Sequence, residues 1–283
     1  MKQKVTFDTS VWRALGVKGC EKLRQHFANP ENINAQDIEL WETVPALFET
    51  TWDWIKDGKE NVAAEMAKQK IALCKNRIVP APKTVIQRAI ADRFNLPKYD
   101  MTGELKYYIG LMIKFTDAQF LNEDNFRQAF MRSVDIARNG YAADLKNLAA
   151  TFEVVLGDAA RIPGIIEQLA QRPEVRSALC IALIERFDLP MEMKTHMALY
   201  SSWESIDHAN RVLEYYKAKI ESLVVARRAP RPQDYLDFEI MICGTRMDRL
   251  VTQNTKDFQR YDLPSMENKL WTLDEFKAYI GLQ

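Results

Sequence analysis

The sequence carries no net charge: thirty-nine Lys and Arg balance thirty-nine Asp and Glu. A neutral chain has no global basic field to advertise nucleic-acid binding, so any such binding must be local. Long apolar runs are also missing. The longest, Ala178–Ile184, has seven residues, against the roughly 20 that span a bilayer. The start, Met1–Trp12, turns polar at Asp8 before any apolar stretch of signal-peptide length. The expectation is a soluble, cytoplasmic chain with no membrane partner. The four cysteines (Cys20, Cys74, Cys180, Cys243) lack CxxC spacing, and the three histidines (His26, His196, His208) are dispersed. That argues against thiolate zinc chemistry and for reduced, mostly buried thiols. No internal repeat or low-complexity segment stands out.

What is present is enough apolar material for a sizeable core. At 47% hydrophobic and 10% aromatic residues, the chain is neither disordered nor fibrous. Its 283 residues correspond to about two domains of roughly 150 residues, or one domain with a large insertion.

Strand signals sit at the two ends. Lys4–Asp8 (KVTFD) is β-branched and aromatic and runs into Thr9 and Ser10, which can cap a helix. Asp37–Val44 and Arg77–Val79 are further strand candidates, the latter stopped by Pro80 and Pro82. Between them Pro45 suits a first helical turn, and Ala46–Lys56 has Leu47, Phe48, Trp52 and Ile55 at helical spacing. Helical patterns then dominate: 61–75, 84–94, 123–138, 142–156, 174–187 and the long 205–226. After ARRAPRP come a helix over 233–247, strands at 249–252 (RLVT) and 269–272 (KLWT), and a closing helix over 273–280. Alternation of this kind implies an α/β fold with a parallel sheet and helices on both faces, a three-layer α/β/α arrangement. Because both ends supply strands, one domain (1–94 plus 227–283) is expected to be interrupted by an all-helical insertion (95–226).

In such a sheet ligands bind beyond the carboxyl ends of the strands. Asp8 closes the first strand, Asn254 and Asp257 follow RLVT, and Glu49 and Asp237 lie one turn into helices after Pro45 and Pro232. Carboxylates brought together from separate elements repel unless a cation neutralises them, and an oxygen-only set suits Mg²⁺ or Mn²⁺. Each residue also has an ordinary role to hand. Asp8 can be a helix N-cap and Glu49 a solvated helix residue. Asp234 and Asp237 suit a helix dipole, and Asn254 and Asp257 are common in turns. Their joint order is what those roles do not predict.

Four blocks, VTFDTSVW, VPALFET, DFEIMICG and LVTQNTKDF, resemble in order the PIN domain, a family of metal-dependent nucleases. The likeness covers residues 1–93 and 227–283. It implies a PIN-like fold in which Asp8, Glu49, Asp237 and Asp257 are catalytic and hold Mg²⁺ or Mn²⁺. Thr9, Ser10, Thr252 and Asn254 would position substrate or water. The products would carry a 5′-phosphate and a 3′-hydroxyl. The family's acid two residues after the threonine is Asn254 here, Asp234 rivals Asp237 as third acid, and the long insertion sets the chain apart from small toxin members. Arg227, Arg228, Arg231, Arg246, Arg249 and Lys256 are candidate contacts to backbone phosphates, while aromatic residues Trp203, Tyr215 and Tyr216 could stack bases.

The resulting expectation is a divalent-metal-dependent endoribonuclease acting on RNA, as the toxin of a toxin–antitoxin pair or a defence effector. Its partners would be an RNA substrate, an inhibitory antitoxin-like protein and a second copy of itself in a homodimer. The alternatives are a degenerate PIN-fold module that binds nucleic acid or protein without cutting, and a DNA-directed nuclease.

Overall fold

Five short strands, β1 (Gln3–Phe7), β2 (Ile38–Thr43), β3 (Ile78–Val79), β4 (Arg249–Val251) and β5 (Leu270–Trp271), form one sheet. In this computed structural model, which describes residues 2–94, 101–158, 164, 165, 168, 172–186, 191–202, 234–259, 266 and 268–282, their order is β3-β2-β1-β4-β5. Every pairing is parallel. The fold is therefore α/β, and the sheet joins strands from both ends of the chain. β1 lies at its centre, with Val5 in register with Leu40 on one side and Arg249 on the other. Val5, Thr6 and Phe7 are all buried, as expected of a strand covered on both faces.

Strands β1, β2 and β5 each pass into a helix through a polar cap. Asp8 caps α1 (Thr9–Ala28), which kinks at Gly16, a left-handed residue at φ 56°. The cap is thus Asp8 rather than Thr9 or Ser10, because the aspartate carboxylate accepts from the Val11 N–H. A short turn, α2 (Ile33–Gln36), leads into β2. Thr43 caps α3 (Val44–Lys56) and Pro45 sits in its first turn, where no intrahelical partner is lost. Then follow α4 (Glu60–Cys74) and, after β3, α5 (Pro82–Phe94). At the other end α11 (Asp234–Gly244) precedes β4, α12 (Thr255–Gln259) follows it, and α13 (Leu273–Ile280) closes the chain behind a Thr272–Glu275 capping box.

Between these parts lie α6 (Thr102–Lys114), α7 (Ala118–Asn122), α8 (Asp124–Leu156), α9 (Pro173–Arg186) and α10 (Met193–Ser202). The two helices expected over 123–138 and 142–156 are one, α8, running through Gly140. A single glycine costs a helix only about 1 kcal/mol, and the helix stops instead at Gly157, which has a left-handed φ of 54°. The expected helix over 205–226 lies outside the described residues, as do Trp203, His208, Tyr215 and Tyr216.

Two cores result. The first centres on the sheet and includes Phe7, Trp12, Leu250 and Phe276. The second joins Val44, Leu47, Trp52 and Ile55 of α3 to Met112, Phe115, Phe130 and Val134 of the helices α6 to α8 and the turn after α6. All four cysteines are free and buried. Burial pushes their thiols up, Cys20 to about 12 and Cys180 to about 11, so none is a ready nucleophile. His26 and His196 make packing contacts, with the Ile280 carbonyl at 2.7 Å and Ser177 Oγ at 3.1 Å. Among the described residues no helix is long and apolar enough to cross a membrane.

Candidate active site

The strands β1 and β4 end side by side, since the Asp8 N–H donates to the Val251 carbonyl at 3.0 Å. This places Asp8 and Thr252 at the carboxyl edge of the sheet, where an open parallel sheet binds ligands. Asp8 is only 4% exposed. Its Oδ1 accepts from Ser10 Oγ at 2.5 Å and from the Val11 N–H at 3.0 Å, and its Oδ2 accepts from Thr252 Oγ1. Burial raises the carboxyl above its ordinary value of 3.8, and these hydrogen bonds offset only part of that rise. Thr252 is fully buried, and its hydroxyl oxygen in turn accepts from the Asn254 N–H at 2.9 Å. Ser10 Oγ also accepts from the Gln253 N–H at 3.0 Å, lacing the loop after β4 to the start of α1.

Glu49 comes from the next helix over. At 8% exposed it is not the solvated residue that its position beside Phe48 and Trp52 allows. Thr9 Oγ1 donates to Glu49 Oε2 at 2.6 Å, and Arg13 Nη2 lies 3.4 Å from Oε1 while pairing with Asp53. Asp237, one turn into α11, is half-buried. Asp8, Thr9, Ser10, Glu49, Asp237 and Asn254 all line one cavity of about 370 Å³, together with Arg13, Trp52, Asp53, Lys56, Arg138 and Ile240.

Six of the sequence-designated residues therefore border a single space, drawn from four segments far apart in the chain. Thr252 stands directly behind it, bonded to Asp8. The others do not join this group. The side chains of Asp234 and Asp257 lie outside what the structure describes, as do Arg227, Arg228 and Arg231 altogether. Arg246 lies 4.0 Å from Asp92 and Arg249 sits over Trp271 at 4.9 Å, both at the beginning of β4 rather than at the end that carries Thr252. Lys256 is exposed and does not line the cavity.

The cavity's own cations are Arg13, Lys56 and Arg138, which the basic patch read from the sequence misses. Arg13 and Lys56 have a local signal, since each lies one helical turn beyond a residue that already faces the cavity, Thr9 and Trp52. Arg138, on α8, has none.

No protein-family model, curated protein or solved structure matches this chain. The geometry stands alone.

The donor set fits an oxygen-preferring divalent cation in kind. Three carboxylates, Asp8, Glu49 and Asp237, share one cavity with Asn254, and the most buried of them is held up in pKa by desolvation, a penalty that a nearby cation relieves. Among the described residues no three His, Cys, Asp or Glu side chains already stand close enough together to hold an ion. The existing hydrogen bonds to Asp8 and the Arg13 contact to Glu49 occupy the same oxygens that an ion would take.

Proposed function

We propose that this chain is a divalent-metal-dependent endoribonuclease with a PIN-like, three-layer α/β/α nuclease domain. The observation that carries the reading is the cavity at the carboxyl ends of β1 and β4, where Asp8, Glu49, Asp237 and Asn254 arrive from separate segments in the order that the PIN resemblance implies. Asp8, Glu49 and Asp237 would hold Mg²⁺ or Mn²⁺, with Asp257 as a fourth acid. When bound, such an ion lowers the pKa of a coordinated water and neutralises charge on a phosphate oxygen.

The chain's own residues set the rest. Thr252 and Ser10 hold the Asp8 carboxylate in one orientation, leaving its free lone pairs directed by the two hydroxyls. Thr9 does the same for Glu49. Asn254, exposed and able to donate and accept, is suited to orient a water or a phosphate oxygen. Arg13 balances the Glu49 and Asp53 charges and keeps the acidic wall folded before an ion arrives.

The test is calorimetric titration of Mn²⁺ into the wild type and Asp8→Asn, with cleavage of a mixed RNA pool and a matched DNA pool on the same samples. Wild-type binding and RNA cleavage, both lost in Asp8→Asn, is the expected result. Cleavage that survives Asp8→Asn, or DNA cleaved in preference to RNA, overturns it. A second reading, a non-cutting PIN-fold binding module, is favoured by Asn254 standing in for an acid and by the protein donors already seated on Asp8 and Glu49. RNA bound without Mn²⁺ uptake or cleavage would establish that one instead.

A further inference from the structure

We propose that Arg138, carried into the acid-lined cavity by the long helix α8, binds a backbone phosphate of the nucleic acid, so that the helical insertion is a working part of the site. The inference rests on the reading of the cavity as a phosphodiester site.

Arg138 is fixed by packing. Helix α8 lies against both α3 and α11, the elements that bear Glu49 and Asp237. Phe130 and Val134, two and one turns before Arg138, are buried in the second core. Near the start of α8, Arg127 donates to the Ile55 carbonyl at 3.1 Å and pairs with Glu60 at 3.1 Å, clamping the helix to the end of α3 and the start of α4. The guanidinium of Arg138 then stands 4.4 Å from the ring centroid of Trp52, and Lys56 Nζ stands 4.8 Å from the same ring.

The state of that guanidinium points to an anion. Its Nε is buried without a hydrogen-bond partner, and among the described residues Arg138 forms no ion pair, although four carboxylates line the same cavity. Arg13, in contrast, is already committed to Glu49 and Asp53. A buried N–H left without an acceptor is costly, and an arginine fork is matched by the paired oxygens of a phosphate. Trp52 offers the guanidinium itself a ring face, a contact that fixes the group at the cavity wall without supplying any of its N–H groups with an acceptor. Because the fork reads phosphate and not sugar, the contact serves RNA and DNA strands alike.

The experiment uses the full chain as wild type, Arg138→Gln, Arg138→Lys, Asp8→Asn and Arg132→Ala, the last an exposed residue of the same helix outside the cavity. Fluorescence anisotropy reads the binding of labelled oligouridylate and oligothymidylate in Ca²⁺ over a salt series, and RNA cleavage is followed in Mn²⁺. Arg138→Gln, which removes the guanidinium and keeps a polar side chain, is expected to bind both oligomers about tenfold to a hundredfold more weakly. Its plot of log Kd against log salt should be shallower by about 0.7, the loss of one single-strand phosphate contact. Arg138→Lys should keep the wild-type salt slope with an intermediate affinity, and Arg132→Ala should match the wild type. The proposal is overturned if the wild type binds neither oligomer, if Arg138→Gln binds like the wild type, or if its affinity falls with the salt slope unchanged. Failure of the nuclease reading shows separately, as RNA cleavage that persists in Asp8→Asn.

Discussion

At the scale of single residues, the burial of Asp8 sets a pH-dependent cost on the fold. The Asp8 carboxyl, 4% exposed, is raised in pKa by desolvation, which its hydrogen bonds only partly offset. A raised folded pKa means that the stabilising contribution is complete below the unfolded value near 3.8 and is lost as pH climbs through the folded value. Asp8→Asn removes the desolvated charge and keeps the N-cap to Val11, since asparagine caps as well as aspartate. In chelator at neutral pH the variant should therefore melt a few degrees above the wild type, with the gap closing on acidification, by differential scanning calorimetry. If Asp8 holds a divalent cation as proposed, added Mn²⁺ should reverse the ranking, since that reading gives ion binding to the wild type alone. Equal melting in chelator across the pH range would contradict this account. Asp8, Glu49, Asp237 and Asn254 are legible in the sequence because each occupies a position defined by a local signal: the end of a strand, or the first turns after a proline. Arg138 is not, since its place depends on where a helix far along the chain comes to rest.

At the scale of elements, α3 is the part whose placement matters most to the site, and a buried ion pair holds it. Lys70 Nζ on α4 lies 2.8 Å from Glu42 Oε2 at the end of β2, and donates to the Ala46 carbonyl at 3.3 Å and Thr50 Oγ1 at 3.2 Å. Both Lys70 and Glu42 are almost wholly buried, and the ammonium stands 4.9 Å from the Trp12 ring centroid. One cation thus ties β2, α3 and α4 together immediately beside Glu49. Lys70→Met strands the Glu42 carboxylate and should cost about 3–5 kcal/mol by urea denaturation at neutral pH. Burial already raises Glu42 above its ordinary 4.5, and losing Lys70 raises it further. The deficit should shrink toward acid, where protonation of Glu42 removes the stranded charge. Adding Glu42→Gln to Lys70→Met should restore a large part of the loss, and a double variant no more stable than the single would sink the explanation. The elements themselves were mostly legible from periodicity: Leu273–Ile280 is found as read, and Ile38–Thr43, Val44–Lys56 and Glu60–Cys74 lie within a residue or two of their expected ends. The division of α8 failed because a lone glycine reads as a break when tertiary packing on both sides is invisible.

At the scale of the whole molecule, the residues read as an insertion are not an appendage. Rings of Phe48 on α3, Phe115 in the turn after α6, and Phe126 and Phe130 on α8 pack with centroids between 5.4 and 6.3 Å apart. Val44, Leu47 and Ile55 complete that core from the sheet side. Aromatic clusters of this kind carry a large apolar area and bind elements into one cooperative unit. If so, damage on α8 must be felt at α3. Phe130→Ala, at a residue 8% exposed, should cost about 3–5 kcal/mol and lower the midpoint of a single unfolding transition rather than split it. Hydrogen exchange gives the sharper readout: amides of α3, including those around Glu49, should lose protection in step with those of α8. Loss confined to α8 would mean that the second core does not couple α8 to α3, and the position of Arg138 relative to the acids would then rest on α8 contacts alone.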